Sequence, residues 1–267
     1  MLKDKKNVKL VVDSSLLGVG LVGMTNDEIR DLWKVSEEAA IMWLENGEFV
    51  IGDLEEFLPK RNIEEWERYD EGDIFRLKKG TRASGYLTAS ATMAVCGAFG
   101  CHVVVTAGIG GVSANRVSGD MAALANHDVL LVATAPKDML DYSATFGVLA
   151  GNSVGILGYG RAVCDGFMFI HTPAAPINIY ANESVDTLLK GRNRLLLNAI
   201  SKPERFRNLE WLSKAVEEGN KAIEKGVDHH PIMNATLAKE TNGLSNILQV
   251  KSLVNNINLA FDIINNK

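Results

Sequence analysis

A lysine, two aspartates and a run of glycines are the residues of this 267-residue sequence whose types and spacing could do chemistry. Lys137 follows the apolar run Val129-Leu-Leu-Val132 and then Ala133-Thr-Ala-Pro136. Burial at such a place lowers an amine's pKa and frees its lone pair to attack a carbonyl, as a Schiff-base lysine does. The competing reading is a helix-start lysine whose stem snorkels to solvent. Asp120, on the preceding strand-to-helix connection, is either an ordinary first-turn carboxylate favoured by the helix dipole or a group that handles sugar hydroxyls and protons. Asp13, after Val8-Lys-Leu-Val-Val12, has the same two readings. Gly108-Ile-Gly110-Gly111 removes side chains where backbone amides could approach an anion, and Ser113, Asn115 and Ser118 add donors just after it. The spacing is that of neither a dinucleotide fingerprint nor a P-loop, and a plain tight turn is the alternative. His229-His230 precede Pro231 with no further histidine or cysteine at ligand spacing, so they read as structural rather than metal-binding.

These residues need elements to hold them. Val8–Val12 is β-branched and bounded by polar residues, a buried strand with Asp13 at its carboxyl end. Val103–Thr106 leads into the glycine run, Val129–Val132 into Lys137, and Val154–Leu157 into Gly158-Tyr-Gly160, so strands end in one row of loops. In open α/β sheets, ligands collect outside the carboxyl ends of strands. Thr88–Phe99 reads as a small-residue helix. Thr25 with Glu28 reads as a capping box opening a helix that carries Ile29, Leu32, Val35 and Ala39 and stops near Asn46-Gly47. The charge-rich stretch 53–82 reads as a lid-like insertion, and the chain after residue 180 as mostly helical. The expected fold is α/β: a mostly parallel central sheet flanked by helices, with a helical C-terminal part, in a single domain over residues 1–267 without linker or repeat.

Bulk properties narrow the function. Lysine and arginine total 28 against 33 acidic residues, a net charge of −5, with no basic run to track a phosphate backbone, which argues against a nucleic acid polymer as partner. Cys96, Cys101 and Cys164 lack the spacing of a zinc site or a disulfide framework, which suits a reducing compartment. The charged start Met1-Leu-Lys-Asp-Lys-Lys6 is followed by no apolar leader segment and no stretch reaches membrane-spanning length, so a cytoplasmic protein with no membrane partner is expected.

The run Thr88-Ala89-Ser-Ala-Thr-Met93, then Val103-Val-Val-Thr-Ala-Gly-Ile-Gly-Gly-Val112, then Ser118-Gly119-Asp120 and Lys137 resembles the pseudouridine-5′-phosphate glycosidase, or indigoidine synthase A-like, family. The likeness extends to Val12-Asp-Ser-Ser15 near the start and to Glu240-Thr-Asn-Gly-Leu-Ser245 and Leu253-Val-Asn-Asn256 near the end. It implies an α/β enzyme, a homotrimer with manganese, that opens ribose 5-phosphate as a Schiff base on lysine and makes or breaks its C–C bond to uracil. A small-molecule sugar phosphate or C-nucleoside phosphate is the implied partner. Lys137 falls on the family's lysine, and Ser118 and Asp120 fall on its sugar-contacting Ser-x-Asp segment, with Thr88, Ala89, Gly110, Gly111 and Gly119 around them.

The sequence departs from the family at several positions. The glutamate acid/base is replaced by the shorter Asp13, to which the proton-donor role passes. The metal-binding aspartate is Arg116, which abolishes a ligand and adds an anion site, so no metal ligand is assigned and no cofactor is certain. The histidine after the glycine run is Ser113, the C-terminal-helix asparagine is Gln249, and Glu67-Arg-Tyr-Asp-Glu71 lacks the phosphate-contacting lysine, leaving Arg68 or Arg116 to substitute. Three activities fit this pattern: cleavage of a C-nucleoside phosphate, C-glycoside synthesis with another acceptor, and catalytically silent binding of a sugar phosphate. The Schiff-base mechanism predicts the amine of Lys137 and the carboxylates of Asp13 and Asp120 facing one cavity.

Overall fold

A computed structural model describes residues 8–78, 80–113, 116–170 and 174–265. Among them a ten-stranded sheet runs in the order Asn178–Ile179, Gly155–Gly158, Asn193–Leu197, Leu130–Ala133, Val103–Val105, Val11–Asp13, Ala40–Glu45, Gly85–Leu87, Glu67–Tyr69, with Glu48–Gly52 beside Ala40–Glu45. Every pairing from Asn178–Ile179 through to Ala40–Glu45 is parallel. Val103–Val105 and Leu130–Ala133 are buried along their whole length, as the apolar strands of a sheet covered on both faces must be. Helix Ala89–Cys96 packs on Val11–Asp13 and Val103–Val105, and the long helix Leu244–Asn265 packs on Val103–Val105 and Leu130–Ala133. Within that long helix, buried Asn256 donates from Nδ2 to the Thr106 carbonyl (2.8 Å) and to Thr134 Oγ1 (3.0 Å), tying it to the ends of two central strands.

The α/β reading holds, with three local corrections. The helix opened by the Thr25–Glu28 capping box ends at Leu32, and Ala40–Glu45 is a strand rather than its continuation. Apolar runs this short carry no decisive period. Here pairing decides, because the run is enclosed between parallel Val11–Asp13 and antiparallel Glu48–Gly52. Asn46 and Gly47, both at positive φ (54° and 84°), form the two-residue turn of that hairpin.

The 53–82 stretch is no insertion over the site. Asp53 and Asp70 each cap a short helix with a full capping box, and Glu67–Tyr69 is an edge strand parallel to Gly85–Leu87. Phe57 is buried, and Trp66 lies 5.3 Å from the Tyr86 ring. Lys79 lies outside the described residues, as does the charged start Met1–Lys6. Beyond residue 180 the chain is helical as expected except for Asn193–Leu197, an apolar strand inserted between Leu130–Ala133 and Gly155–Gly158. The three cysteines are free and buried, and no helix among the described residues is long and apolar enough to cross a membrane.

Candidate active site

The residues singled out for chemistry sit where strands end. Asp13 is the last residue of its strand and is buried. Beyond the main sheet, Gly108–Ile109 and Ala135–Pro136 form a second, two-residue parallel ladder, and the Lys137 amide donates to the Ile109 carbonyl (3.0 Å). The lysine stem is thereby fixed by backbone, one residue past the ladder. Asp120 lies in the first turn of helix Gly119–Asn126, whose N-cap is Ser118. Its carboxylate faces back across the site, accepting from the Gly110 amide at Oδ2 (2.7 Å) and the Ser90 amide at Oδ1 (3.0 Å).

That bridge takes up part of the glycine run read as an anion cradle, with a carboxylate of the protein itself as the acceptor. The Gly110 amide is taken by Asp120, and the Val112 amide by Thr145 Oγ1 (2.9 Å). The glycines serve close approach instead: a Cβ on Gly110 would fall 2.1 Å from Ser118 Oγ, and one on Gly111 2.4 Å from Thr145 Oγ1. Asn115, expected as a further donor, lies outside the described residues.

A cavity of about 480 Å³ opens over these strand ends. Lys137, Asp13 and Asp120 line it together with Thr88, Ala89, Gly110, Gly111, Ser113, Arg116, Ser118 and Gly119. Gln249 does not reach it; it lines an adjoining niche of about 40 Å³ that also borders Asp13, Lys137 and His230. Two buried polar atoms, Asp13 Oδ1 and Gln249 Nε2, have no hydrogen-bond partner among the described residues.

The electrostatics follow from this burial. Removal of water pushes the Asp13 carboxyl up to about 7; the Asp120 charge pushes the same way, and the Thr106 hydroxyl, Lys137 and Arg68 offset only part of it. Exclusion of water likewise lowers the Lys137 amine, helped by Arg68 and opposed by Asp120 and Asp13. A carboxyl that holds its proton to neutrality thus faces an amine that gives its proton up more readily, a pair suited to proton donation and nucleophilic attack.

The opposite wall was missed in the sequence. Helices Leu209–Glu224 and His229–Glu240 pack together, and Ile223, Gly226, Val227, Asp228, His229 and His230 also line the cavity. The two histidines, read as structural, therefore face the site. Nothing local in His229-His230-Pro231 signals this, because the helical hairpin brings them there. Asp228 caps the second helix, accepting the His230 amide (3.1 Å), and also accepts from Arg68 Nη1 (2.5 Å). Arg68 Nε donates to Ser15 Oγ (2.8 Å), so one guanidinium joins the two walls. Burial lowers both imidazoles, His230 strongly, and the Lys137, Arg68 and Arg116 charges push the same way; Asp228 opposes this at His229.

The manganese of the resembled family finds no carboxylate at its position. Arg116 there is exposed on the cavity rim in the Val112–Ser113/Arg116–Val117 hairpin, and a guanidinium has no lone pair to give. Ligand atoms of Asp228, His229 and His230 come within 4.8 Å of one another, but that carboxylate is already engaged by Arg68 and by the helix N-terminus. The residues present do not fit the ion.

Comparison with known proteins agrees with the fold. Pseudouridine-5′-phosphate glycosidase from Clostridium botulinum is 27% identical over 295 aligned positions, covering 98% of this chain and 92% of that protein. The Thermotoga neapolitana protein of the same name is 30% identical over 168 positions, 60% of this chain, and the match spans 57% of that protein's length. An indigoidine synthase A-like protein from Thermotoga maritima superposes with a TM-score of 0.75 at 20% identity, covering 98% of this chain and 94% of that one. The prealnumycin C-glycosynthase AlnA, solved in complex with ribulose 5-phosphate, superposes with a TM-score of 0.74 at 18% identity, covering 97% and 91%. The family model described as indigoidine synthase A like protein matches residues 16–266, and the chain belongs to that family.

Proposed function

We propose that this protein makes or breaks the C–C bond between C1 of ribose 5-phosphate and a base, through a Schiff base on Lys137. The observation that carries the reading is the pairing of a water-shielded amine of lowered pKa with a buried carboxyl held near 7 in one cavity. A C-glycosidic bond has no leaving oxygen to protonate, so hydrolysis by paired carboxylates has no purchase on it, whereas an iminium supplies an electron sink. In the cleavage direction the Lys137 amine adds at C1 as the ring C1–O bond opens, and neutral Asp13 donates the proton that the ring oxygen needs. The added nitrogen then gives up a proton, its lone pair expels the base carbon, which takes up that proton, and a C1=N iminium is left. Water hydrolyses the iminium to ribose 5-phosphate and the free amine. Asp120, fixed by two backbone amides, is suited to hold sugar hydroxyls. Arg68 and Arg116 supply positive charge for the phosphate.

A second reading, C-glycoside synthesis with an acceptor other than uracil, is favoured by Gln249 and the histidine wall, which alter the space around the acceptor. The test is intact mass after incubation with ribose 5-phosphate and borohydride, for the native protein and Lys137→Ala, with pseudouridine 5′-phosphate assayed alongside for release of uracil. A Lys137-dependent adduct with uracil release supports the first reading, and an adduct without it supports the second. No adduct with either compound leaves a silent sugar-phosphate-binding protein.

A further inference from the structure

Building an iminium on Lys137 needs more proton transfers than Asp13 alone supplies. Attack of the neutral amine on the C1 aldehyde of open-chain ribose 5-phosphate gives an ammonium and an alkoxide on one carbon. A proton must leave the nitrogen and reach the oxygen, and a second proton must then accompany the hydroxyl as it departs as water. Asp13, neutral to about pH 7, supplies the second. The first requires a group that accepts a proton and returns it.

Elimination among the cavity's residues is narrow. Both Asp120 oxygens accept backbone amides. Asp70 and Asp73 cap the helix between them, each accepting an amide of the other residue. Asp228 is held by Arg68 and by the helix N-terminus. Arg68 and Arg116 have no lone pair to accept a proton, and the cavity's serine and threonine hydroxyls are far too weak as bases. The imidazoles of His229 and His230 remain, and only His230 borders both the main cavity and the niche that contains Asp13 and Lys137. Neither of its ring nitrogens makes a hydrogen bond among the described residues. Burial holds its imidazole well below the usual range, and the Lys137, Arg68, His229 and Arg116 sites push the same way, although an Asp228 oxygen lies within 4.8 Å, so it presents one donor and one acceptor.

We infer that His230 is the proton-transfer partner of Lys137, a role that rests on the Schiff-base reading above. As the C1–N bond forms, His230 takes the ammonium proton and protonates the alkoxide. Asp13 then gives its proton to the departing hydroxyl while the nitrogen lone pair closes the C=N bond, leaving iminium, water and the Asp13 carboxylate. The adjacent His229 borders only the larger cavity and is not assigned this step.

The test follows the rate of adduct formation by intact mass with ribose 5-phosphate and cyanoborohydride, which reduces the iminium. Native protein, Lys137→Ala, His230→Ala, His230→Gln and His229→Gln are compared at matched melting temperature. The expected result is an adduct in native protein, about 100-fold slower formation in both His230 variants, and recovery of His230→Ala by free imidazole. His229→Gln slows formation less than either His230 variant. Native rates in His230→Gln overturn the inference and leave the Schiff base standing. A slow His230→Ala that imidazole does not accelerate overturns it too, reducing His230 to packing. A loss in His229→Gln without one in His230→Gln assigns the step to the wrong histidine here. Absence of adduct from native protein removes the Schiff-base reading itself, and this inference with it.

Discussion

The two walls of the cavity are built in different ways. On the sheet side, each charged group is placed by backbone: Asp13 ends a central strand, Lys137 follows a ladder residue whose position is fixed by pairing, and Asp120 is clamped by two amides. On the helical side, Asp228, His229 and His230 ride on the start of one helix, and the Arg68–Asp228 ion pair, 16% and 42% exposed, carries charge between the walls. Backbone placement permits burial, and burial produces the perturbed amine and carboxyl. Side-chain placement tolerates exchange, so the helical wall is where the site can change its ligand without losing its lysine.

Replacing Lys137 tests the sheet wall most severely. Lys137→Ala is expected to abolish adduct formation with ribose 5-phosphate under borohydride while the melting temperature holds or rises, since a water-shielded amine is removed. A residual adduct at another lysine would break the assignment.

Asp120→Asn comes next. One amide donor, Gly110 or Ser90, then faces an NH₂ group, and the expected costs are about 1–3 kcal/mol of stability and a fall in the trapping rate of roughly 100-fold. Denaturant unfolding and intact-mass kinetics read the two separately; unchanged stability would mean that the clamp does not hold the wall.

The pH response sharpens the comparison. Trapping is expected to fall above pH 7 as Asp13 loses its proton, and to fall in acid as Lys137 gains one. In Asp13→Asn the alkaline limb should vanish along with most of the rate. Stability has the matching sign. A carboxyl raised from 3.8 to about 7 favours the fold below its unfolded pKa, and that contribution is lost as pH rises through 7. Above pH 7, Asp13→Asn should therefore unfold at higher denaturant than native protein, by at most about 4 kcal/mol, and the gain should shrink toward pH 5.

The smallest effect belongs to the helical wall. Arg68→Lys keeps the charge but cannot span Ser15 and Asp228 together, and a loss within about 1 kcal/mol is expected, with a weaker KM for the sugar phosphate and an unchanged adduct at saturation. A collapse of stability would show that the ion pair holds the hairpin more firmly than its exposure suggests.

The same division explains what the sequence makes legible. Asp13, Lys137 and the Ser118–Asp120 segment each stand directly after a buried strand or at a helix start, so local pattern locates them, and the parallel sheet brings their ends together. Ala40–Glu45 defeats local reading because a short apolar run fits helix or strand, and only its neighbours decide. The glycine run was legible as a close approach but not as to what approaches: Asp120 is ten residues away in sequence, and an acceptor from the protein fills the place expected for an anion. His229 and His230 carry no local mark, since a helical hairpin packed far along the chain delivers them.

Asn256 has a consequence for how the Lys137 amine comes to be shielded from water. Its hydrogen bond to Thr106 closes a span of 150 residues, so the shell around Lys137 cannot be complete until the Leu244–Asn265 helix docks. A lysine that stays in water keeps the ordinary amine pKa, so the lowering at Lys137 belongs to the docked arrangement. The lowered amine therefore arrives with tertiary structure, and contacts far from Lys137 in sequence set its protonation as much as its neighbours do.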